Sequence, residues 1–259
     1  MIDYLSKFSN KGKITFIVGG SGLIGSHIVQ AILQSGSRVV NIDIKNLGFK
    51  EYSSNYNYIN FNVSKFSDYK KFFLRVTKKF GVPDIFINCS YPKTKDWQNN
   101  SFKKINFESY KKNIEIHLNS YVWLAKYVAD IMVKNGKCGS IIQLGSIYGN
   151  FAQDENIYSN TKMDFNMTYS IIKGGIHNFT RQMSAYYGKY NIRVNTLCPG
   201  GVEDIKQDKI FIKNYKKKVP LKRLSKSSEV ASVALFLSSE AASYITGSTI
   251  VVDGGFTVI

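Results

Sequence analysis

Tyr169 and Lys173 stand four positions apart in Tyr169-Ser-Ile-Ile-Lys173, so on a helix a phenol and an ammonium share one face. A free phenol titrates near pH ~10 and is a poor proton donor or acceptor at neutrality. A fixed cation beside it favours the phenolate and brings it toward the range where general acid–base catalysis works. The spacing alone says little in a chain with 17 tyrosines and 35 lysines and arginines. It occurs again in Tyr158-Ser-Asn-Thr-Lys162. Its meaning therefore depends on what surrounds it.

The second chemical feature is Gly19-Gly-Ser-Gly22-Leu-Ile-Gly25, between an apolar β-rich run at 13–18 and an amphipathic segment at 27–34. Strand, glycine turn and helix in that order form a dinucleotide-binding pattern. The glycines allow a tight turn, and the helix N-terminus accepts a pyrophosphate. A strand at 38–43 ends in Asp43, eighteen residues after Gly25. A carboxylate there can hold the adenosine ribose hydroxyls and repels a 2′-phosphate, which favours NAD over NADP. Lys45, two residues on, pulls the other way.

These residues need a frame. Further strands are predicted at 58–63, 84–88, 139–145, 192–198 and 249–252, with helices at 68–80, 107–133, 169–187 and 228–238. Alternation of this kind gives an α/β fold with a parallel sheet covered on both faces. With 259 residues, 44% of them hydrophobic, and no linker or repeat, the chain reads as one domain over 1–259. Cys89, Cys138 and Cys198 are few and far apart, which suits a reducing compartment, with Cys198 as a small buried apolar residue. Residues 1–13 lack the apolar run of a signal peptide, and no stretch approaches the ~20 apolar residues of a membrane span. A cytoplasmic protein without a membrane partner is expected. The net charge of +17 is spread along the chain. It reads as solvated faces rather than a nucleic-acid surface, or alternatively as a field that draws in an anionic ligand. His27, His117 and His177 are isolated in the sequence, so no metal is expected.

The glycine turn, Asp43, Asn88, Gly145-Ser146, Tyr169/Lys173, Pro199-Gly200 and Asp253-Gly-Gly255 occur in the order and on the elements of one family. Pro220-Leu-Lys-Arg-Leu and Tyr244-Ile-Thr-Gly-Ser are similar to that family's tail. The sequence resembles the short-chain dehydrogenases/reductases over nearly its whole length. The resemblance implies a doubly wound Rossmann fold with a seven-stranded, mostly parallel sheet, a cofactor half at about 13–145 and a substrate half at about 146–259. It also implies NAD-dependent hydride transfer between an alcohol and a ketone. Tyr169 would be the acid/base, and Lys173 would bind the nicotinamide ribose and lower the phenol's pKa. Ser146 would hydrogen-bond the reacting oxygen. Gly19, Ser21, Gly22, Leu23 and Ile24 would line the pyrophosphate, with Asn62, Val63 and Asn88 near the adenosine. Cys89 and Ser90 belong to the loop beside the nicotinamide, which Pro199, Gly200 and Val202 would flank. Dimers or tetramers are common in the family.

The sequence departs from the family pattern in places. Val18 replaces a threonine, Leu23 replaces the middle glycine, and Asn88-Cys-Ser90 alters the usual Asn-Asn-Ala-Gly stretch. The asparagine that holds a relay water aligns with His117. An imidazole can also hold a water and carry a proton; Asn113, one turn earlier, is the fallback. Ser146 to Tyr158 is twelve residues, close to the family spacing, and Ser146 to Tyr169 is twenty-three. Tyr169 is nevertheless the expected acid. An amphipathic helix continues after Lys173, and the distance from Lys173 to Pro199 fits the family's helix–strand unit. An insertion of roughly ten residues at about 151–167 follows, beside the active-site mouth.

That insertion, with Asn88-Cys-Ser-Tyr-Pro92, Ile116-His-Leu118 and Pro199-Gly-Gly-Val202, is similar to the family's subgroup tied to flagellin modification and nonulosonic-acid sugars. A sugar, amino-sugar or sugar-phosphate substrate is implied. Lys206, Lys209, Lys213, Lys216, Lys217 and Lys218, in the lid at about 200–218, would suit a phosphate or simply face solvent. Two other functions are carried: an NADPH-dependent 3-oxoacyl-carrier-protein reductase, which Asp43 opposes, and a non-catalytic dinucleotide-binding regulator.

Overall fold

β-Branched and aromatic runs four to eight residues long alternate with 3.6-periodic segments, and both kinds of element bury their apolar faces against each other. The structure, a computed structural model, describes residues 2–52 and 54–259. Among these residues a seven-stranded sheet is ordered β3-β2-β1-β4-β5-β6-β7, with every neighbouring pair parallel. The strands are β1 (Ile14–Val18), β2 (Arg38–Asp43), β3 (Tyr56–Asn60), β4 (Ile85–Asn88), β5 (Gly139–Leu144), β6 (Ile192–Pro199) and β7 (Thr249–Val252).

Alternation along each strand sends side chains to opposite faces. Phe16, Val18, Phe86 and Ile141 join one core with α2 (Tyr69–Phe80), α4 (Asn119–Lys134) and α5 (Met167–Tyr187). Ile17, Val39, Ile85 and Ile142 join the other with α1 (Leu23–Gln34) and α7 (Ser227–Ser238). The sheet is thus covered on both sides, as a parallel sheet must be.

Three elements differ from the sequence reading. The third strand ends at Asn60, not at 63, because Phe61, Asn62 and Val63 leave the sheet to wall a cavity. The expected helix at 107–133 is α3 (Phe107–Asn113), a π turn at Ile114–Leu118, then α4; the Asn119 N–H reaches back to the Ile114 carbonyl. The lid contains a helix, α6 (Lys209–Lys218), capped by the Asp208 carboxylate on the Ile210 and Phe211 N–H groups. Its lysine-rich composition hid an apolar face of Phe211 and Tyr215.

Candidate active site

β1 has β2 on one side and β4 on the other, so the chain's winding reverses there. In such sheets the crevice beyond the strand ends at the reversal takes the ligand. A cavity of about 540 Å³ opens at that place, walled by the ends of β1 and β2 and the segments that follow β1, β2, β3 and β4. Gly19 enters it with φ +76°, and a Cβ there would lie 2.6 Å from the Ser90 backbone. Only glycine therefore lets this turn pass between β1 and the loop after β4.

Of the residues expected around a dinucleotide, Gly19, Ser21, Gly22, Asp43, Asn62, Val63, Cys89 and Ser90 line the cavity. Leu23 and Ile24 form the first turn of α1 beside it. The Asp43 carboxylate accepts from the Ser21 N–H (2.9 Å) and the Ile44 N–H (2.6 Å), which fixes it at the end of β2. Asn88 lies behind the wall, where its Oδ1 accepts from the Ser90 N–H (3.1 Å) and hydroxyl (2.7 Å). That pair takes over the shaping of the altered loop. Pro199 ends β6, and Gly200 and Val202 follow it outside the cavity wall; the Gly200 N–H donates to the Val252 carbonyl (2.9 Å).

α5 carries Tyr169 and Lys173 on a rigid support. Its N-cap, Asn166, accepts from the Tyr169 N–H (2.9 Å) and donates to the Trp97 carbonyl (3.1 Å). Lys173 is buried and donates to the Leu144 carbonyl (2.8 Å). Its Nζ stands 5.6 Å from the Tyr169 ring centroid, 5.1 Å from that of Tyr121 and 5.9 Å from that of Tyr91. Three electron-rich faces thus offset part of the loss of hydration. Burial still brings Lys173 down to about 8. The Tyr169 phenol moves opposite to the expectation for a residue beside a cation: burial pushes it up to about 12, against hydrogen bonding from Ser146 that acts to lower it. Desolvation is the largest influence on the phenol, and the Lys173 ammonium is directed at the Leu144 carbonyl. Ser146 and Tyr169 are nonetheless brought together, twenty-three residues apart in sequence.

The competing pair is taken apart. Residues 158–162 are not helical; Lys162 is exposed, and the Tyr158 hydroxyl donates to Gln153 (3.2 Å) while its ring packs on Phe165 and Phe211. His117 is fully buried, and neither ring nitrogen has a partner among the described residues. Burial and Lys173 hold it well below the usual histidine range. Asn113 is not available as a fallback: it accepts from the Thr94 N–H (3.0 Å) and donates to the Ser109 carbonyl (2.9 Å) and Thr94 hydroxyl (2.8 Å). Its amide holds the 94–100 loop.

Two residues were missed by sequence. Tyr91 lines the cavity and stands 6.1 Å from the Tyr169 ring and 5.0 Å from that of His117. Trp97 packs edge-on to Tyr169 at 6.3 Å. Together they join the cavity to the Tyr169 phenol; an aromatic directly after Asn88-Cys-Ser was the available signal. His177, read as isolated, lies against Ser146 and Cys198. Of the lid lysines, Lys206, Lys209, Lys213, Lys216 and Lys217 are exposed, and Lys218 pairs with Asp154 (2.5 Å). Among the described residues no helix is long and apolar enough to cross a membrane.

Residues 21–257 match the family model described as enoyl-(acyl carrier protein) reductase. A short-chain dehydrogenase from Leptospira borgpetersenii, solved with bound NAD+, is similar at 31% identity and TM-score 0.88, over 99% of this chain and 97% of that one. The chain belongs to the short-chain dehydrogenase/reductase family. This short-chain dehydrogenase/reductase is a nicotinamide-dependent oxidoreductase of Rossmann type. It is 29% identical to the post-translational flagellin modification protein A of Campylobacter coli, covering 95% of this chain and 98% of that protein. It is 28% identical to a 3-oxoacyl-[acyl-carrier-protein] reductase of Salmonella typhimurium, covering 97% and 100%.

Proposed function

We propose that this oxidoreductase uses NAD(H) to interconvert an alcohol and a ketone on a sugar, amino sugar or sugar phosphate of a surface-glycan pathway in the cytoplasm. One observation carries the reading. Ser146 and Lys173 stand beside Tyr169, and the Tyr91 ring links Tyr169 to the cavity that the glycine turn and Asp43 help to wall.

The cavity fits a dinucleotide on three counts. A Cβ at Gly19 would fill its cradle, the N-terminus of α1 faces it, and Asp43 stands where an adenosine ribose would present its hydroxyls. When bound, NAD(H) supplies or accepts the hydride. Gly19, Ser21, Gly22, Leu23 and Ile24 would hold the pyrophosphate, Asn62 and Val63 the adenosine end, and Cys89 and Ser90 the nicotinamide end; Asn88 would act from behind the wall through Ser90, and Pro199, Gly200 and Val202 would flank the nicotinamide from outside it. In reduction the Tyr169 hydroxyl gives its proton to the carbonyl oxygen, while the Ser146 hydroxyl donates a hydrogen bond to it. Lys173 favours the phenolate that remains. His117, with both nitrogens free of protein partners, returns a proton through a water on the Lys173 side.

The NAD+ bound to the Leptospira relative and the Asp43 carboxylate support NAD over NADP. The Campylobacter relative, together with the aromatic walls of Tyr91 and Trp97 beside the phenol, supports a sugar ring. A phosphate would meet Lys93 at the cavity lip rather than the outward lid lysines. The Salmonella relative and the positive surface favour a second reading, a 3-oxoacyl-carrier-protein reductase. Titration with NADH and NADPH, then a panel of sugars, amino sugars, polyols, sugar phosphates and an acetoacetyl carrier followed by absorbance, separates the two. Tighter NADPH binding with turnover only on the acyl carrier would replace the sugar reading.

A further inference from the structure

Beneath the turn that carries Ser146 lies a polar cluster with no part in the scheme above. The His177 ring, on α5 two turns beyond Tyr169, is 1% exposed. Its Nε2 faces the Ser146 N–H at 3.5 Å and the Cys198 Sγ at 3.0 Å, and its Nδ1 lies 2.9 Å from Asn150 Oδ1. A backbone N–H can only donate, so Nε2 is the acceptor. The ring proton is then on Nδ1 and is donated to Asn150. Burial pushes the Cys198 thiol up to about 12, so it stays protonated and shares the single Nε2 lone pair with the Ser146 N–H.

The ring also fills the space under the turn. A Cβ on Gly149 would come 2.5 Å from its Cε1, and a Cβ on Gly145 would collide with its Nε2. The imidazole is therefore wedged between the start and the end of the 145–150 turn, and it hydrogen-bonds to both Ser146 and Asn150. Ser146 Oγ in turn accepts from the Tyr148 N–H (3.2 Å).

We propose that His177 is the positioning residue for Ser146, a strut on α5 that holds the 145–150 turn so that the Ser146 hydroxyl stays against the Tyr169 phenol. The proposal rests on the roles given to Ser146 and Tyr169. Its physical content is that strut and proton donor stand on one helix. Any shift of α5 carries phenol and serine together, and a catalytic pair needs its geometry held to a fraction of an ångström.

The test compares wild type with His177→Leu, which fills the space without an acceptor, and His177→Gln, whose Oε1 can accept in place of Nε2. Crystal structures with NAD bound should show Ser146 Oγ out of hydrogen-bonding reach of the phenol in the leucine variant and back in the glutamine variant. NADH affinity by fluorescence should stay within about twofold, while turnover of the panel compound that wild type reduces fastest falls on the order of 100-fold with leucine and recovers with glutamine. If the leucine variant does not fold, Asn150→Ala at the exposed end of the cluster should give the same displacement. Ser146 unmoved in H177L, or H177Q as impaired as H177L, overturns the proposal and leaves His177 as packing. Full turnover in Ser146→Ala strikes instead at the catalytic reading, while the crystallographic comparison, which needs no substrate, still decides the positioning.

Discussion

At the scale of single residues, Tyr169→Phe should lower kcat by about 100-fold or more, the range of a lost general acid. Tyr158→Phe should stay within a few fold, because the Tyr158 hydroxyl is given to Gln153. Equal losses in the two variants would contradict the assignment. Lys173 is held at about 8 because its charge is buried. Between that value and its unfolded value of 10.5 the unfolded chain binds the extra proton, so stability rises with pH there and the full penalty is present at neutrality. Lys173→Met should therefore abolish turnover yet be as stable as wild type at pH 7, or more stable by about 1–3 kcal/mol, in a urea titration. His177, held at about 4 by burial, Lys173 and Arg181, has the same sign. Stability is lost as pH falls from 6.5 toward 4, and H177Q should soften that loss in melting curves taken across the window. Ser146, Tyr169, Lys173 and Asp43 were legible because their chemistry comes with a fixed spacing or element end. Tyr91, Trp97 and His177 were not, because their partners come from other elements and only folding brings them together.

At the scale of elements, the segment at 151–167 and the lid helix α6 are tied together by several contacts. Lys218 pairs with Asp154, Asn214 donates to the Ser159 carbonyl (2.9 Å), and Tyr158 packs on Phe211. Asp154 and Lys218 are both largely covered, so the pair is worth more than an exposed one. Asp154→Ala should speed proteolysis within 203–218 and raise KM more than it lowers kcat. Unchanged proteolysis would mean that the lid holds itself. Gly19→Ala should cost most of the NADH affinity in a fluorescence titration, since the left-handed φ and the Ser90 backbone both reject a Cβ. Strand and helix order could be read from period alone. The end of β3 could not, because Phe61 and Val63 continue the apolar alternation while walling a cavity. The π turn at Ile114–Leu118 was equally hidden, since one wide turn leaves the hydrophobic pattern of a long helix almost intact.

At the scale of the whole molecule, the charge of +17 has a kinetic consequence rather than a folding one. Association of the anionic NADH, followed by stopped-flow, should slow as salt rises from 10 mM toward 1 M, where screening is nearly complete. A salt-independent rate would show that the positive residues are too dispersed to steer. The sheet also sorts the molecule by end: the cavity and the Ser146–Tyr169 pair lie past the carboxyl ends of the strands. Cys138 sits in the turn before β5, at the opposite end, and is exposed, whereas Cys89 and Cys198 are buried. A maleimide should therefore find a single handle. The native chain could carry a dye, or be tethered to a surface in one orientation, with its working end turned outward.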